Sequence, residues 1–236
     1  MKPVEIWVLE RSAAGPARTH LQGLLSPEEH LRRDRFRLAA DRDRFGLGRV
    51  LCRTVLGARL GRPPASIALE IQRSGRPVLA NAPGGPWFSI AHSGELVVFA
   101  LAPTPFVGVD VEHEDHAAQA LDLAARICTP REQAALAACP VSERPRRFCA
   151  IWTLKEAYAK ATGLGLQIDP ARLGFDPDRA GFAEQLGDLS AADAAAWRFG
   201  LWRPIAGYSL ALAFKPLAGV PLALGAPSSA STLFRA

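Results

Sequence analysis

The chain carries the stretch Gly108-Val109-Asp110-Val111-Glu112 near its middle. Its β-branched valines favour a largely buried strand. Because side chains alternate between the two faces of a strand, Asp110 and Glu112 would point to the same face. Bare carboxylates in apolar surroundings are costly unless a partner or a metal ion neutralises them. The stretch therefore predicts a carboxylate pair that faces a site, although such pairs are also common at solvated strand edges. Gly108 would let another backbone or a ligand approach closely.

A second informative stretch, residues 148–160, has the sequence FCAIWTLKEAYAK, which is typical of a helix. Its only charged residues are Lys155, Glu156 and Lys160. A Glu and a Lys four residues apart commonly form a weak salt bridge on an exposed helix face. This helix is apolar over most of its circumference, however, so its few charges are expected to face a site. Together with the strand carboxylates, Glu156 could hold a hard divalent cation, and the lysines could hold phosphates bound to that cation.

The size and composition are those of a globular protein with a substantial core. The chain has 236 residues, of which 49% are hydrophobic and 22% charged. No apolar run is long enough to span a bilayer, and the first residues lack the apolar region of a signal peptide, so we expect a cytoplasmic protein. The four cysteines show neither a CxxC pair nor zinc-ligand spacing, which predicts free, buried thiols.

The net charge of +5 is unevenly distributed. Residues 1–76 contain fifteen Lys and Arg against eight Asp and Glu, whereas the rest contains thirteen against fifteen. A basic first half suggests an anionic ligand or partner. Only four of the basic residues are lysines, and two of those are Lys155 and Lys160, which suggests that these positions require a compact ammonium group.

Patterns along the chain predict an α+β protein of two similar halves, residues 1–107 and 108–216, each with helices followed by strands. Ser26-Pro27-Glu28-Glu29 and Thr129-Pro130-Arg131-Glu132 both resemble helix N-termini with a capping box. Residues 217–236 contain mostly small residues and little charge, and they predict a poorly ordered tail. Strands are predicted over 3–9, 67–71, 87–91, 96–102, 107–112, 173–175, 196–202 and 208–214. Helices are predicted from residue 26 and over 39–60, 117–127, 130–138 and 143–162.

Three further positions are candidates for contacts with an anion. His92, in the turn-forming sequence after a strand, could donate to a phosphate, although a structural turn histidine is the ordinary alternative. Arg76 lies in Gly75-Arg76-Pro77, a rigid turn that could present its guanidinium to a ligand. Arg44 lies in the long first-half helix, but arginine is too frequent here for one residue to indicate a site by itself. The chain has no GxGxxG after a strand, Walker loop, HExxH or GxSxG motif.

The strand and helix motifs together resemble the signature pair of 4′-phosphopantetheinyl transferases, and the likeness runs from about residue 3 to residue 215. The length and the presence of Glu112 resemble the surfactin-type (Sfp-type) subfamily. The resemblance implies a monomer of two α+β halves related by pseudo-two-fold symmetry, with the active site in the cleft between them. It implies transfer of phosphopantetheine from coenzyme A to a serine of an apo acyl or peptidyl carrier protein, with release of 3′,5′-ADP. Mg²⁺ or Mn²⁺ would be required.

The same resemblance implies roles for individual residues. A metal ion would be held by Asp110, Glu112 and Glu156. The diphosphate would contact Lys155 and Lys160, and the 3′-phosphate would contact Arg44 and His92. The adenosine pocket would be lined by Gly75, Arg76 and Pro77. The resemblance makes Asp110, Glu156 and Lys160 catalytic, with Glu156 or a metal-held water as the base.

The chain also departs from the pattern of this family. Ala91 stands beside His92 at a phosphate-binding position where relatives often carry serine. In the first helix, Glu29, Arg32 and Arg33 stand where relatives often carry lysines, and Arg76 also replaces a common lysine.

Two other functions are compatible with these residues. A metal-dependent nuclease or phosphohydrolase also uses a DxE pair, a nearby lysine and positive charge. The arginines here lack interleaved aromatic residues, however, so we expect no nucleic-acid partner, and no membrane partner either. A catalytically inactive carrier-binding module is the second alternative, and the intact set of acidic and basic motif residues disfavours it.

Overall fold

The computed structural model describes residues 4–165, 168–185, 190–217 and 225–234. The described helices are α1 (Gly15–Arg18), α2 (Leu21–Leu24), α3 (Pro27–Asp34), α4 (Ala39–Leu60), α5 (Glu114–Gln119), α6 (Ala124–Ile127), α7 (Pro130–Ala138), α8 (Arg144–Thr162) and α9 (Ala191–Ala196). The described strands are β1 (Glu5–Glu10), β2 (Leu69–Ile71), β3 (Pro77–Leu79), β4 (Trp87–Ser93), β5 (Leu96–Ala102), β6 (Val107–His113), β7 (Leu173–Asp176), β8 (Gly181–Gln185), β9 (Arg198–Trp202), β10 (Tyr208–Phe214) and β11 (Ser228–Ser229). Among the described helices, none has the length and apolar content needed to cross a membrane.

The two halves of the chain repeat one order of elements, as the predicted α+β fold requires. Each half begins with a strand, continues through helices to one long helix, and then forms a two-stranded sheet, β2–β3 or β7–β8. Each half ends with a hairpin whose last strand pairs antiparallel with the first strand of that half. The resulting strand orders, β1-β5-β4 and β6-β10-β9, are therefore equivalent.

Three buried clusters form layers around the two sheets, and a further cluster lies between α8 and the helices α5, α6 and α7. One cluster lies between the two sheets and includes Val98 of β5 and Val109 of β6. The outer face of the first sheet packs on α4, and the outer face of the second packs on α8. Each central strand, β5 or β10, is buried on both faces, which explains its almost continuous apolar sequence.

Local signals start the helices where the sequence predicts. The Ser26 side chain accepts from the Glu29 N–H at 3.3 Å, and the Glu29 carboxylate accepts from the Ser26 N–H at 3.0 Å. Thr129 and Glu132 form the same reciprocal pair before α7. These capping boxes satisfy backbone donors that have no partner within the helix.

The two sheets meet where β4 of the first half lies beside β6 of the second. No ladder of backbone hydrogen bonds joins these strands in the described residues; instead, serine hydroxyls accept from the β6 backbone. The Val109 N–H donates to Ser89 Oγ at 3.1 Å, and the His113 N–H donates to Ser93 Oγ at 3.2 Å. This seam brings side chains of both halves to one place.

Gly108 allows α8 to lie directly on β6. A Cβ at this position would overlap the backbone of Ala157 and Ala161. The close approach predicted at Gly108 is therefore made by the backbone of another element. It places the charged face of α8 beside the carboxylates of β6.

We expect Gly108→Ala to destabilise the fold by about 2 kcal/mol or more, because the added methyl group meets backbone that cannot rotate away. Chemical denaturation should report this loss. Gly181→Ala on β8 is the matched control, since a Cβ there has only Arg179 O nearby, at 3.9 Å. Equal stability of the two variants would contradict this packing.

Two predictions about elements need correction. The helix predicted over 117–127 is divided into α5 and α6 by a 3-10 turn at Leu121–Leu123, and it starts earlier because His113 caps its N-terminus. The predicted poorly ordered tail includes residues 225–234, which instead pack on the first half. There β11 pairs parallel with β1, and Ala230 and Phe234 join the apolar core. The rest of the tail beyond residue 217 lies outside the described residues.

Candidate active site

A pocket of about 440 Å³ opens beside the seam between the halves. Residues of six elements line it: α3, α4, β3, β4, β6 and α8. The predicted site residues in this lining are Pro77, Ala91, His92, Asp110, Glu112, Glu156 and Lys160. The structure therefore brings the strand motif and the helix motif to one cavity, as the sequence predicts.

A buried carboxylate, Asp110, pairs with the half-buried Lys160 at the centre of this pocket. The Lys160 ammonium donates to Asp110 Oδ1 at 2.5 Å, and Asp110 is only 4% exposed. The other carboxylate oxygen, Oδ2, is buried and has no hydrogen-bond partner. Burial raises the pKa of the Asp110 carboxyl to about 7; the charges of Glu112 and Glu156 add to this increase, and Lys160 opposes it. An unpartnered buried oxygen of this kind is ready to accept a cation.

Glu156 projects from α8 into the same pocket, one helical turn before Lys160 and one turn after Trp152. Burial raises the pKa of the Glu156 carboxyl; Lys160 opposes this increase and Glu112 adds to it. Glu112 comes from β6, and its Oε2 accepts a hydrogen bond from the Ser93 hydroxyl at 2.9 Å. Carboxylates from two elements thus face a shared space.

The donor set fits a hard divalent ion in its chemistry, because three carboxylates line one pocket and one buried oxygen is free. In the described part of the chain, however, no three His, Cys, Asp or Glu side chains converge closely enough to enclose an ion. Lys160 occupies one oxygen of Asp110. Binding of an ion would therefore require side-chain rotation at Glu112, Glu156 or Lys160.

Lys155 does not face the pocket, which contradicts its predicted contact with a diphosphate. Its ammonium lies within 2.7 Å of Glu132 Oε2 and donates to three carbonyl oxygens, those of Ile127, Pro170 and Leu173. It is only 4% exposed. The reason is helical geometry: position 155 is rotated by about 100° from position 156 and so points toward α7 and β7. Lys155 joins these elements to α8.

A second pocket, of about 210 Å³, adjoins the first and shares Pro77, Ile90 and Lys160 with it. The predicted adenosine-pocket residues Gly75, Arg76 and Pro77 all line it. Gly75 has φ +83°, a conformation that glycine adopts readily in such a turn.

The guanidinium of Arg76 is bound to protein backbone and pairs with no carboxylate among the residues that the structure describes. It donates to the carbonyl oxygens of Phe88 at 2.9 Å, Val107 at 3.1 Å and Lys160 at 3.2 Å. Burial lowers its pKa. These acceptors lie on β4, β6 and α8, so Arg76 joins the two halves in addition to lining the pocket.

The two residues predicted to bind a 3′-phosphate are placed differently. His92 lies within β4 rather than in the predicted turn after a strand; it is exposed and lines the larger pocket. Arg44 lies outside the linings of both pockets; it donates to the Gly94 carbonyl at 2.9 Å and pairs with Asp41. Arg44 thereby supports the turn after β4.

Sequence reasoning missed the cationic and aromatic wall at the first-half end of the large pocket. There Arg49 is 7% exposed and lies 5.0 Å from the ring centroid of Phe45, with Arg32 at 5.5 Å from the same ring. Arg49 also pairs with Glu29 at 3.1 Å, and Phe36 completes the wall. The spacing of Phe45 and Arg49, four residues apart in α4, was the available signal.

Comparison with known proteins places this chain in a family. The model of the 4′-phosphopantetheinyl transferase superfamily matches residues 106–213. A model described as 4′-phosphopantetheinyl transferase, N-terminal, matches residues 16–104. The chain belongs to the 4′-phosphopantetheinyl transferase superfamily and is an enzyme of that class, as the resemblance of its motifs predicts.

Two curated relatives support the same assignment, and one solved structure is similar in part. The 4′-phosphopantetheinyl transferase HetI of Nostoc sp. is 33% identical over 165 residues, which cover 69% of this chain and 70% of that protein. The 4′-phosphopantetheinyl transferase Sfp of Bacillus subtilis is 28% identical over 160 residues, or 68% of this chain and 70% of that protein. A solved ACPS–CoA complex from Chronobacterium ammoniagenes is 22% identical with a TM-score of 0.37, over 46% of this chain and 93% of that one.

Proposed function

We propose that the chain transfers the 4′-phosphopantetheine arm of coenzyme A to a serine of an apo acyl or peptidyl carrier protein, with Mg²⁺ or Mn²⁺, and releases 3′,5′-ADP. The observation that carries this proposal is the meeting of Asp110, Glu112, Glu156 and Lys160 at one pocket between the halves. Carboxylates for a cation and an ammonium for phosphate oxygens are what a diphosphate-containing substrate requires.

In this proposal, Asp110, Glu112 and Glu156 would hold the metal ion. When bound, the ion would neutralise negative charge on the diphosphate. Lys160 would exchange its contact with Asp110 for a phosphate oxygen. Its 34% side-chain exposure and its place in both pockets support this role.

The proposed reaction is a single phosphoryl-type transfer. The carrier's serine oxygen forms a bond to the phosphorus that bears the pantetheine arm. The bond from that phosphorus to the bridging oxygen of the diphosphate breaks, and 3′,5′-ADP leaves with that oxygen. Positioning and electrostatic stabilisation supply most of the acceleration in such transfers.

Glu156 is our candidate for the base that takes the serine proton. Its carboxyl lines the pocket, and its raised pKa suits a group that accepts a proton near neutral pH. The charge of Lys160 opposes this rise in the pKa of the Glu156 carboxyl.

We propose that residues 1–107 form the nucleotide side and residues 108–216 the metal and diphosphate side. The smaller pocket at Gly75, Arg76 and Pro77 would take the adenosine, since it adjoins the larger pocket at Lys160. The 3′-phosphate would lie toward His92, with Ala91 beside it. Arg44 would act on this region through the turn that it supports. The length and Glu112 support the surfactin-type subfamily, acting as a monomer.

Intact-protein mass spectrometry tests the proposed reaction. An apo acyl carrier protein and an apo peptidyl carrier domain are each incubated with the enzyme, coenzyme A and Mg²⁺. We expect a gain of one phosphopantetheine mass on the carrier serine, and loss of that gain with EDTA. No gain with either carrier, despite bound coenzyme A, would contradict the transfer and favour an inactive carrier-binding module. Magnesium-dependent cleavage of DNA would favour the nuclease alternative.

A further inference from the structure

Ser93 lies at the end of β4 and contacts the second half at three points. Its Oγ is 2.9 Å from Glu112 Oε2, 3.2 Å from the His113 N–H and 3.3 Å from His116 Nδ1. The residue is 6% exposed. A hydroxyl of the first half is thus bound to Glu112, a carboxylate of the second half that lines the candidate site.

The donor protons and acceptor lone pairs available in this cluster determine the direction of each hydrogen bond. A serine hydroxyl has one proton to donate and two lone pairs that accept. The His113 N–H can only donate, and an ionised Glu112 can only accept. Ser93 must therefore donate to Glu112, and His116 must carry its proton on Nδ1 and donate to Ser93. All three bonding positions of the hydroxyl are then used.

The turn that presents Ser93 is itself held in place. Gly94 has φ +51°, and a Cβ there would overlap the hydroxyl of Tyr208. That hydroxyl accepts a hydrogen bond from the Glu95 N–H at 2.7 Å. On its other side, the Tyr208 ring packs edge-on against His113, with centroids 4.5 Å apart. Ser93 is therefore rigidly presented to Glu112.

We propose that Ser93 and His116 are positioning residues that fix the orientation of Glu112. By engaging Oε2, they leave the other carboxylate oxygen for the divalent ion. This inference rests on the proposed function, because it assigns a role toward the metal ion of the same site. It implies that the nucleotide half helps to build the metal site of the other half. Groups that orient a metal ligand in this way commonly strengthen metal binding by about 10–100-fold.

Ser89 offers a matched control on the same strand. It is also 6% exposed, and its hydroxyl likewise accepts a β6 backbone N–H, that of Val109 at 3.1 Å. Among the described residues, its hydroxyl forms no hydrogen bond with a carboxylate or an imidazole. Ser89→Ala therefore removes the same type of contact between the halves without touching Glu112. Because Ser89 also lines the smaller pocket, coenzyme A is used at a concentration that saturates every variant.

The test is a Mn²⁺ titration of the full chain in the presence of coenzyme A and without carrier, followed by the electron paramagnetic resonance signal of free Mn²⁺. We expect Ser93→Ala to raise the Kd for Mn²⁺ by at least about tenfold, and Ser89→Ala to leave it unchanged. His116→Ala should raise the Kd by a smaller factor. His116→Asn should restore it, because the amide can donate to Ser93. Thermal unfolding of each variant measures the loss of stability that Ser93→Ala and Ser89→Ala should both show, because each removes a contact between the halves.

The possible results distinguish failure of the positioning role from failure of the proposed function. A Kd for Ser93→Ala equal to that of Ser89→Ala, with tight binding by the wild type, would overturn the positioning role and leave the proposed function intact. Absence of Mn²⁺ binding by the wild type would overturn both. Equal losses with His116→Ala and His116→Asn would contradict a positioning role for the hydrogen bond from His116 to Ser93 and leave Ser93 as the only positioning residue.

Discussion

Glu156→Gln should lose most turnover, by about 10²–10⁴-fold, while it retains coenzyme A binding. The substitution keeps the size of the side chain but removes both the negative charge and the capacity to accept the serine proton. Steady-state transfer rates at saturating Mg²⁺ measure the turnover, and isothermal calorimetry measures coenzyme A binding. Near-normal turnover would contradict the assigned role.

Glu143→Gln is the matched control for this experiment. Glu143 precedes the first residue of the same helix, is exposed and lies outside both candidate pockets. We expect its variant to behave as the wild type. Equal losses in the two variants would mean that the effect reflects the charge of α8 rather than a group in the site.

Lys155→Met should destabilise the fold by about 3–5 kcal/mol, because it leaves the buried carboxylate of Glu132 without its cation. Both side chains are almost fully buried, at 3% and 2% exposure. The loss should appear as a lower midpoint in urea denaturation. Coenzyme A affinity, measured where the variant is folded, should stay near that of the wild type.

Lys160→Met is the contrasting variant in the same helix. Its partner Asp110 has a pKa raised to about 7, chiefly by burial, and can take up a proton when the ammonium is removed. We therefore expect a smaller loss of stability than for Lys155→Met, together with a large loss of turnover. If Lys155→Met is instead stable and fails to bind coenzyme A, the diphosphate contact predicted from the sequence is correct and the structural role is wrong.

Much of the fold could be predicted because its signals are local. The bounds of α4 follow from apolar periodicity and from Gly61, which ends the helix in a left-handed conformation. Both capping boxes were readable from four consecutive residues. The pairing of β11 with β1 could not be predicted from the sequence. It joins segments more than 200 residues apart, and backbone contacts of this kind leave no local sequence pattern.

The candidate site was predictable in part for a similar reason. The alternation of β6 places Asp110 and Glu112 on one face whatever surrounds the strand. The environment of Lys155 depends on where α7 and β7 pack, and that arrangement is tertiary. Arg49 likewise belongs to a helix with many arginines, and only packing against Phe45 and Glu29 distinguishes it from a solvated residue.

Anomalous diffraction from crystals grown with coenzyme A and Mn²⁺ tests the central claim most directly. The account predicts a manganese peak within ligand distance of the carboxylates of Asp110, Glu112 and Glu156, with the diphosphate beside Lys160. The nucleotide should then occupy the smaller pocket at Gly75, Arg76 and Pro77. Coenzyme A bound elsewhere, or a manganese peak away from these carboxylates, would contradict the account.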